Sequence, residues 1–308
     1  YRDIWDLAER VNLNTVNKKM LEAMVVSGAL DGLPGITRAQ YFAADGKGSS
    51  FLESLIRYGT NVKNLRNSSQ QSLFGDTGGF DMVRPEPAPC TDWSKLEKLN
   101  KEKQVIGIYL SSHPLDDFRL EINTFCNATL ADLQNLSEFA NRDVCVAGIV
   151  SDTRSGVTRN NKPFGGFTLQ DYTDSFSFVL FDKEYVSLSN FFKNDYQLLV
   201  KGRVQGRHYN PDELEFRIKE IHLLTAVRED LINSITIKVK AEMVNHEFIK
   251  NLKSIISESP GNKMLKFLLI DHDEKITIPL FSRSIKAGIT DELIGWLEDN
   301  GELDFKVN

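Results

Sequence analysis

The run Arg154-Ser155-Gly156-Val157-Thr158-Arg159-Asn160-Asn161-Lys162 gathers three cations into one short segment, with Phe164 just beyond it. Arg203, Arg207 and Tyr209 recur downstream. Cations beside aromatic rings neutralise phosphates and stack on bases, so these side chains are the candidate contacts for a single nucleic-acid strand. A second candidate is Gln70-Gln71-Ser72-Leu73-Phe74, where Leu73 and Phe74 form an apolar pair in a polar, glycine-bearing stretch and Gln70 offers an oriented amide. Such a pair can reach a partner without dismantling a folded core. A third is the turn at Ser27-Gly28, between two helical patterns, whose backbone N–H groups are placed to meet a phosphate.

Other chemistries lack their residues. The acidic pairs Asp116-Asp117, Asp273-Glu274 and Asp291-Glu292 read as solvated or helix-start charges, not as a magnesium cluster. Cys90, Cys126 and Cys145 are odd in number and form no Cys-x-x-Cys pair, so they are expected to be ordinary reduced thiols. The five histidines show no metal-ligand spacing, no nucleophile–base–acid set can be assembled, and no cofactor is expected in the chain. A net charge of -6 argues against non-specific coating of nucleic acid, so any contact must be local. No apolar run is long enough for a membrane helix and the start YRDIWDLAER is not a signal peptide, which predicts a cytoplasmic protein with no membrane partner. Tyr1 at the amino end, inside a helical pattern, suggests a piece of something longer.

The elements that must position these groups are legible from periodicity. The 308 residues suffice for two or three domains, and the expected class is multi-domain α+β. Residues 1–60 read as short helices around the glycine turn, a helix-hairpin-helix region, with Asn17 as a helix cap and Thr37 starting a later helix. Residues 61–92, rich in Asn, Ser, Gly and Pro, read as a linker carrying the Gln70–Phe74 peptide. Residues 93–142 form a helical connector, with an amphipathic helix from Trp93 to Leu110 that ends at Ser111-Ser112-His113-Pro114. From 143 to 227 the period becomes two: three strands, a helix over Glu184–Phe192 and two more strands, the order of an OB-fold barrel. Phe176, Phe178 and Phe181 are assigned to its core. Residues 228–308 alternate at Ile235, Ile237 and Val239, then give helix, strands, helix and a possible last strand at Leu303–Val307, a small α/β domain.

The blocks NKKMLEAMVVSGALDGL, EKQVIGIYLSSHPLD, AGIVSDTRSGVTRNNKPFGGFTLQDYTDSFSFVLF and LLVKGRVQ resemble, in order, the bacterial DNA polymerase III alpha subunit. The resemblance runs from Tyr1 to about Glu229 and more loosely beyond. It implies the carboxy-terminal part of a DNA-directed DNA polymerase whose catalytic centre and magnesium ions lie upstream, so the fragment itself should not polymerise DNA. It further implies that Gln70, Ser72, Leu73 and Phe74 engage the sliding clamp, the beta subunit, and that residues 228–308 meet the tau subunit of the clamp loader. The barrel would bind single-stranded DNA during chromosomal replication. The turn Val26-Ser27-Gly28-Ala29 departs from the pattern by lacking a second glycine, which weakens its phosphate role. A stand-alone OB-fold nucleic-acid binder is the alternative, and it accounts only for the middle of the chain.

Overall fold

The computed structural model describes residues 1–46, 48–69, 83–207, 210–271 and 275–308. They form two compact units, Tyr1–Pro114 and Leu115–Asn308. The first is helical: α1 (Ile4–Arg10), α2 (Lys18–Val26), α3 (Arg38–Phe42), α4 (Phe51–Ser69) and α5 (Lys95–Ile106). Asp3 and Asn17 cap α1 and α2 by accepting from the N–H groups of Asp6 (2.7 Å) and Met20 (3.0 Å), satisfying donors that a helix start leaves open. The apolar stripes of α1, α2 and α4 meet in a core of Ile4, Leu7, Leu21, Val25, Phe51, Leu52 and Leu55.

Three boundaries differ from expectation. Helix α4 runs to Ser69, so the first part of the expected linker is helical. Residues beyond 83 are pinned to the helical unit: Trp5 Nε1 donates to the Pro85 carbonyl at 3.0 Å, Arg84 reaches Asp3 at 3.4 Å, and Trp93 stacks on Phe42 at 5.5 Å between centroids. Helix α5 stops at Gly107, which takes the left-handed conformation (φ 93) and closes the helix onto the Lys103 carbonyl, short of the expected end at His113-Pro114.

The second unit opens with α6 (Arg119–Phe125), and the expected connector is divided between the two units at Pro114 and Leu115. Leu130 and Leu133, from that connector, are buried in the barrel core, so the barrel recruits residues ahead of its first strand. The strands are β1 (Asp143–Val157), β2 (Pro163–Gln170), β3 (Ser175–Phe181), then α7 (Asp182–Leu188), β4 (Gln197–Arg207) and β5 (Asn210–Leu223), in sheet order β3-β2-β1-β4-β5. This is the expected OB-fold. Its open seam between β3 and β5 is packed by Phe178 against Phe216 (5.4 Å, edge-on) and crossed by an Arg217–Glu184 ion pair at 2.6 Å.

A helix α8 (Leu224–Asp230) leads into β6 (Ser234–Lys240), α9 (His246–Glu258), β7 (Lys263–Asp271), β8 (Ile276–Ala287), α10 (Asp291–Asp299) and β9 (Asp304–Val307). The sheet order is β8-β7-β6-β9, with β6 and β7 parallel across α9. The alternating tail is a strand, β9, paired antiparallel with β6, and it buries Leu303 and Val307.

Candidate nucleic-acid interface

A bulge in β1 decides which residues the barrel shows to solvent. Up to Val150 the even-numbered Val144, Val146 and Val150 point into the core, while β1 pairs with β4. The register slips between Val150 and Asp152, where the strand turns to pair with β2, and an inserted residue reverses the faces of all that follow. Thr153 then lies opposite the buried Phe167, and Asp152, Arg154 and Gly156 face outward. Without the extra residue, Arg154 would aim at the core.

The outward rows across β1, β2 and β3 follow from the register. Gly156 sits opposite Phe164, and Phe164 opposite Phe181; Arg154 sits opposite Gly166, and Gly166 opposite Val179; Asp152 sits opposite Thr168, and Thr168 opposite Ser177. Phe164 and Phe181 stack at 5.9 Å between centroids and 27° between planes, and Phe181 is 54% exposed. Gly166 keeps the middle of this face flat. A Cβ there would lie 2.5 Å from the Phe178 carbonyl oxygen and 3.2 Å from Arg154 Nε, so the arginine reaches across β2 over a position only glycine allows. Thr168 and Ser177 share a hydroxyl hydrogen bond of 2.8 Å. The face therefore offers two stacked rings, a guanidinium and two hydroxyls, the groups that hold bases and phosphates of an unpaired strand.

The predicted cations divide. Arg154 belongs to β1 rather than to the loop, and both Arg154 and Arg159 are exposed. Lys162 is also exposed, but its ammonium is held by Asp182 at 2.7 Å, so its charge is largely spent within the protein. Arg203 lies opposite Asp143 at the start of β1, eleven positions from Arg154 along that strand, and donates to the Asn141 carbonyl at 3.0 Å. Arg207 pairs with Glu213 at 2.7 Å and Glu215 at 3.8 Å. The structure thus separates Arg203 and Arg207 from the Arg154–Phe164 patch and neutralises the second of them. Tyr209 lies outside the described residues, as do Gln70, Ser72, Leu73 and Phe74.

Phe181 was expected in the core and is on the outer face. It follows Phe178 by three positions, an odd number, so a strand that buries Phe178 must expose it. The Ser27-Gly28 turn is also not the open donor site expected. The N–H groups of Ser27, Gly28 and Ala29 donate to the carbonyls of Ala23, Val25 and Met24, closing α2 on itself. Gly28 (φ 80) leaves its Cβ position to the Arg38 guanidinium, which binds Asp31 at 2.6 Å and the Val26 carbonyl at 3.2 Å. Those three N–H groups are all engaged. Among the described residues no group of His, Cys, Asp or Glu side chains is arranged to hold a metal, and no helix is long and apolar enough to cross a membrane.

The comparison with family models agrees with the barrel architecture. Residues 235–308 match the family described as DNA polymerase III alpha subunit, C-terminal domain, and residues 144–224 match the OB-fold nucleic acid binding domain. A DNA polymerase III subunit alpha from Thermus aquaticus is 26% identical over 306 residues, covering 98% of this chain and 23% of the relative. The subunit from Campylobacter jejuni is 28% identical over 196 residues, covering 63% of this chain and 16% of the relative. Among solved structures, the SSB domain of a Synechococcus sp. protein aligns at 14% identity and a TM-score of 0.22, over 27% of this chain and 93% of that one. The resemblance to the polymerase III alpha subunit family therefore holds along the chain, which spans only 16% to 26% of the length of such relatives.

Proposed function

We propose that this relative of the DNA polymerase III alpha subunits is the carboxy-terminal accessory region of a replicative polymerase, holding single-stranded DNA on the outer face of its barrel. The observation that carries this reading is the Phe164–Phe181 stack, with Phe181 exposed, beside the exposed Arg154 guanidinium on β1-β2-β3. Stacking is tolerant of sequence, as a replication protein requires. With acids about matching cations across the barrel, affinity is modest and salt-dependent. Replacing Arg154 and Arg159 by alanine should weaken binding of a labelled oligonucleotide in fluorescence anisotropy. It should also flatten the salt dependence by about 1.4 in log–log slope, at roughly 0.7 per single-strand phosphate. Lys162→Ala should do less, because Asp182 already holds that charge. Unchanged affinity and slope in the double variant would refute the reading.

Two tethers accompany this role. Gln70, Ser72, Leu73 and Phe74 engage the sliding clamp through a short apolar peptide, and the domain formed by 228–308 docks the clamp-loader tau subunit. Support for the second comes from β8, where Ile276, Ile278 and Leu280 are each about half exposed beside Arg283 and Lys286, a surface suited to an acidic, apolar partner. Deleting the tail cannot test docking cleanly, since β9 is a core strand. Surface plasmon resonance on two double variants separates the contacts. Leu73→Ala with Phe74→Ala should cost about tenfold in clamp affinity and nothing in tau affinity, and Ile278→Ser with Leu280→Ser the reverse, about 1.4 kcal/mol each. Either pair leaving its own partner's affinity intact removes that tether. The polymerase activity itself, with its magnesium ions, is assigned to the upstream part of the full-length cytoplasmic enzyme.

A further inference from the structure

The first strand of the barrel and the segment leading into it carry two cysteines on adjoining backbone. Cys126 ends α6, its N–H donating to the Ile122 carbonyl at 2.9 Å. The next residue docks on β1: the Asn127 N–H donates to the Cys145 carbonyl at 3.1 Å, its Oδ1 accepts from the Cys145 N–H at 2.9 Å, and its Nδ2 donates to the Asp143 carbonyl at 3.1 Å. Three bonds thus hold the chain after Cys126 against Cys145. Both side chains enter one apolar cluster with Leu115, Ala147, Leu199 and Val227, which brings the two thiols to the same side of β1.

The pair is asymmetric. Cys126 is pushed up, first by its hydrogen bond to the Cys145 sulfur and then by burial. Cys145 is lowered, first by accepting that hydrogen bond, against its burial and with help from the Lys201 charge. Deprotonation therefore gathers on Cys145. A depression of about 310 Å³, lined by Asn127, Asp143, Cys145, Lys201, Lys219 and Glu220, lies beside Cys145 and is roomy enough for a molecule the size of a peroxide.

We propose that Cys126 and Cys145 are a redox pair that closes to a disulfide when oxidised by a hydroperoxide. The Cys145 thiolate attacks the terminal peroxide oxygen, the O–O bond breaks, and the leaving oxygen takes a proton, giving an alcohol or water and a sulfenic acid on Cys145. The Cys126 thiol then gives up its proton as its sulfur attacks the Cys145 sulfur; the S–O bond breaks and the departing hydroxide leaves as water. Two thiols and one peroxide become one disulfide, one water and one alcohol or second water. The bond would staple the end of α6 to the start of β1 and reopen under a cellular reductant, the transient kind of disulfide that a reducing compartment permits.

The test uses the whole chain and hydrogen peroxide. Thiol titration after denaturation should fall from three per chain to one, Cys90 remaining, and dithiothreitol should restore all three. Trypsin separates the two sulfurs, cutting after Arg119, Arg142 and Arg154, so mass mapping should show the two peptides joined at about 2 Da below their summed masses, the loss of two hydrogens. In Cys126→Ser, dimedone should trap a sulfenic acid on Cys145; in Cys145→Ser, Cys126 should stay reduced. Three titratable thiols after peroxide, loss of Cys90 alone, or cross-linking only through Cys90 between chains would each overturn the proposal, whatever the variants do.

Discussion

Replacing Phe164 and Phe181 together by alanine is expected to weaken binding of a single-stranded oligonucleotide about thirtyfold. The figure takes stacking at the low end, ~1 kcal/mol for each ring lost. The fold should largely survive, because Phe181 is 54% exposed and Phe164 rests on Phe181 and the bare backbone of Gly156, outside the barrel core. The inward partners behave oppositely. Phe167 and Phe178 are buried and stacked at 5.1 Å inside the barrel, and truncating either should cost about 3–5 kcal/mol of stability. Anisotropy titrations and thermal melts on the same preparations distinguish the outcomes. If the outer double variant binds as the parent does while remaining folded, the stack is not a platform for bases.

How much of this face could be read in the sequence depends on parity. The strands of the barrel and their order follow from period-two alternation, and the positions of β2 to β5 agree with it. Phe181 could have been placed correctly by counting from Phe178, since an odd step changes faces. Arg154 could not. Its outward direction depends on the slip at Ser151, and nothing in Ile149-Val150-Ser151-Asp152 marks an inserted residue, because a bulge is fixed by how two strands meet. The partners that quench Lys162 and Arg207 are equally remote in character: Asp182 sits twenty residues away at the start of α7, while Glu213 and Glu215 face Arg207 only once β4 and β5 pair.

Helix α4 shows the opposite failure. Leu52, Leu55, Ile56 and Leu65 keep a helical spacing, yet the polar content of 61–69 resembles a linker, and residues 61–66 are mostly exposed, with little apolar surface to bury. The segment after residue 83 looks like coil by composition, and its anchoring by Trp5, Asp3 and Phe42 is a tertiary event without local signature. The tail was the clearer case. Leu303, Phe305 and Val307 alternate, and a strand able to pair with β6 follows directly.

A second stability effect of several-fold consequence is expected at Arg228, a residue that no motif singles out. It lies on α8, between the last barrel strand and the first strand of the terminal sheet, and its guanidinium pairs with Glu121 on α6 and with Asp291 at the start of α10. Its Nη2 also donates to the Asp117 carbonyl at 3.4 Å. Asp291 is 85% exposed, so that arm contributes little. Glu121 is different: it is buried, and its Oε2 has no hydrogen-bond partner among the described residues, leaving the carboxylate dependent on Arg228. Removing one member of a buried pair strands the other charge, so Arg228→Met should cost about 3 kcal/mol at neutral pH. Glu121→Met added to Arg228→Met should recover most of the loss, because an apolar pair of similar volume needs no compensating charge. Urea melts of the four proteins form a double-mutant cycle, and additive losses would show that the two side chains do not act as a pair.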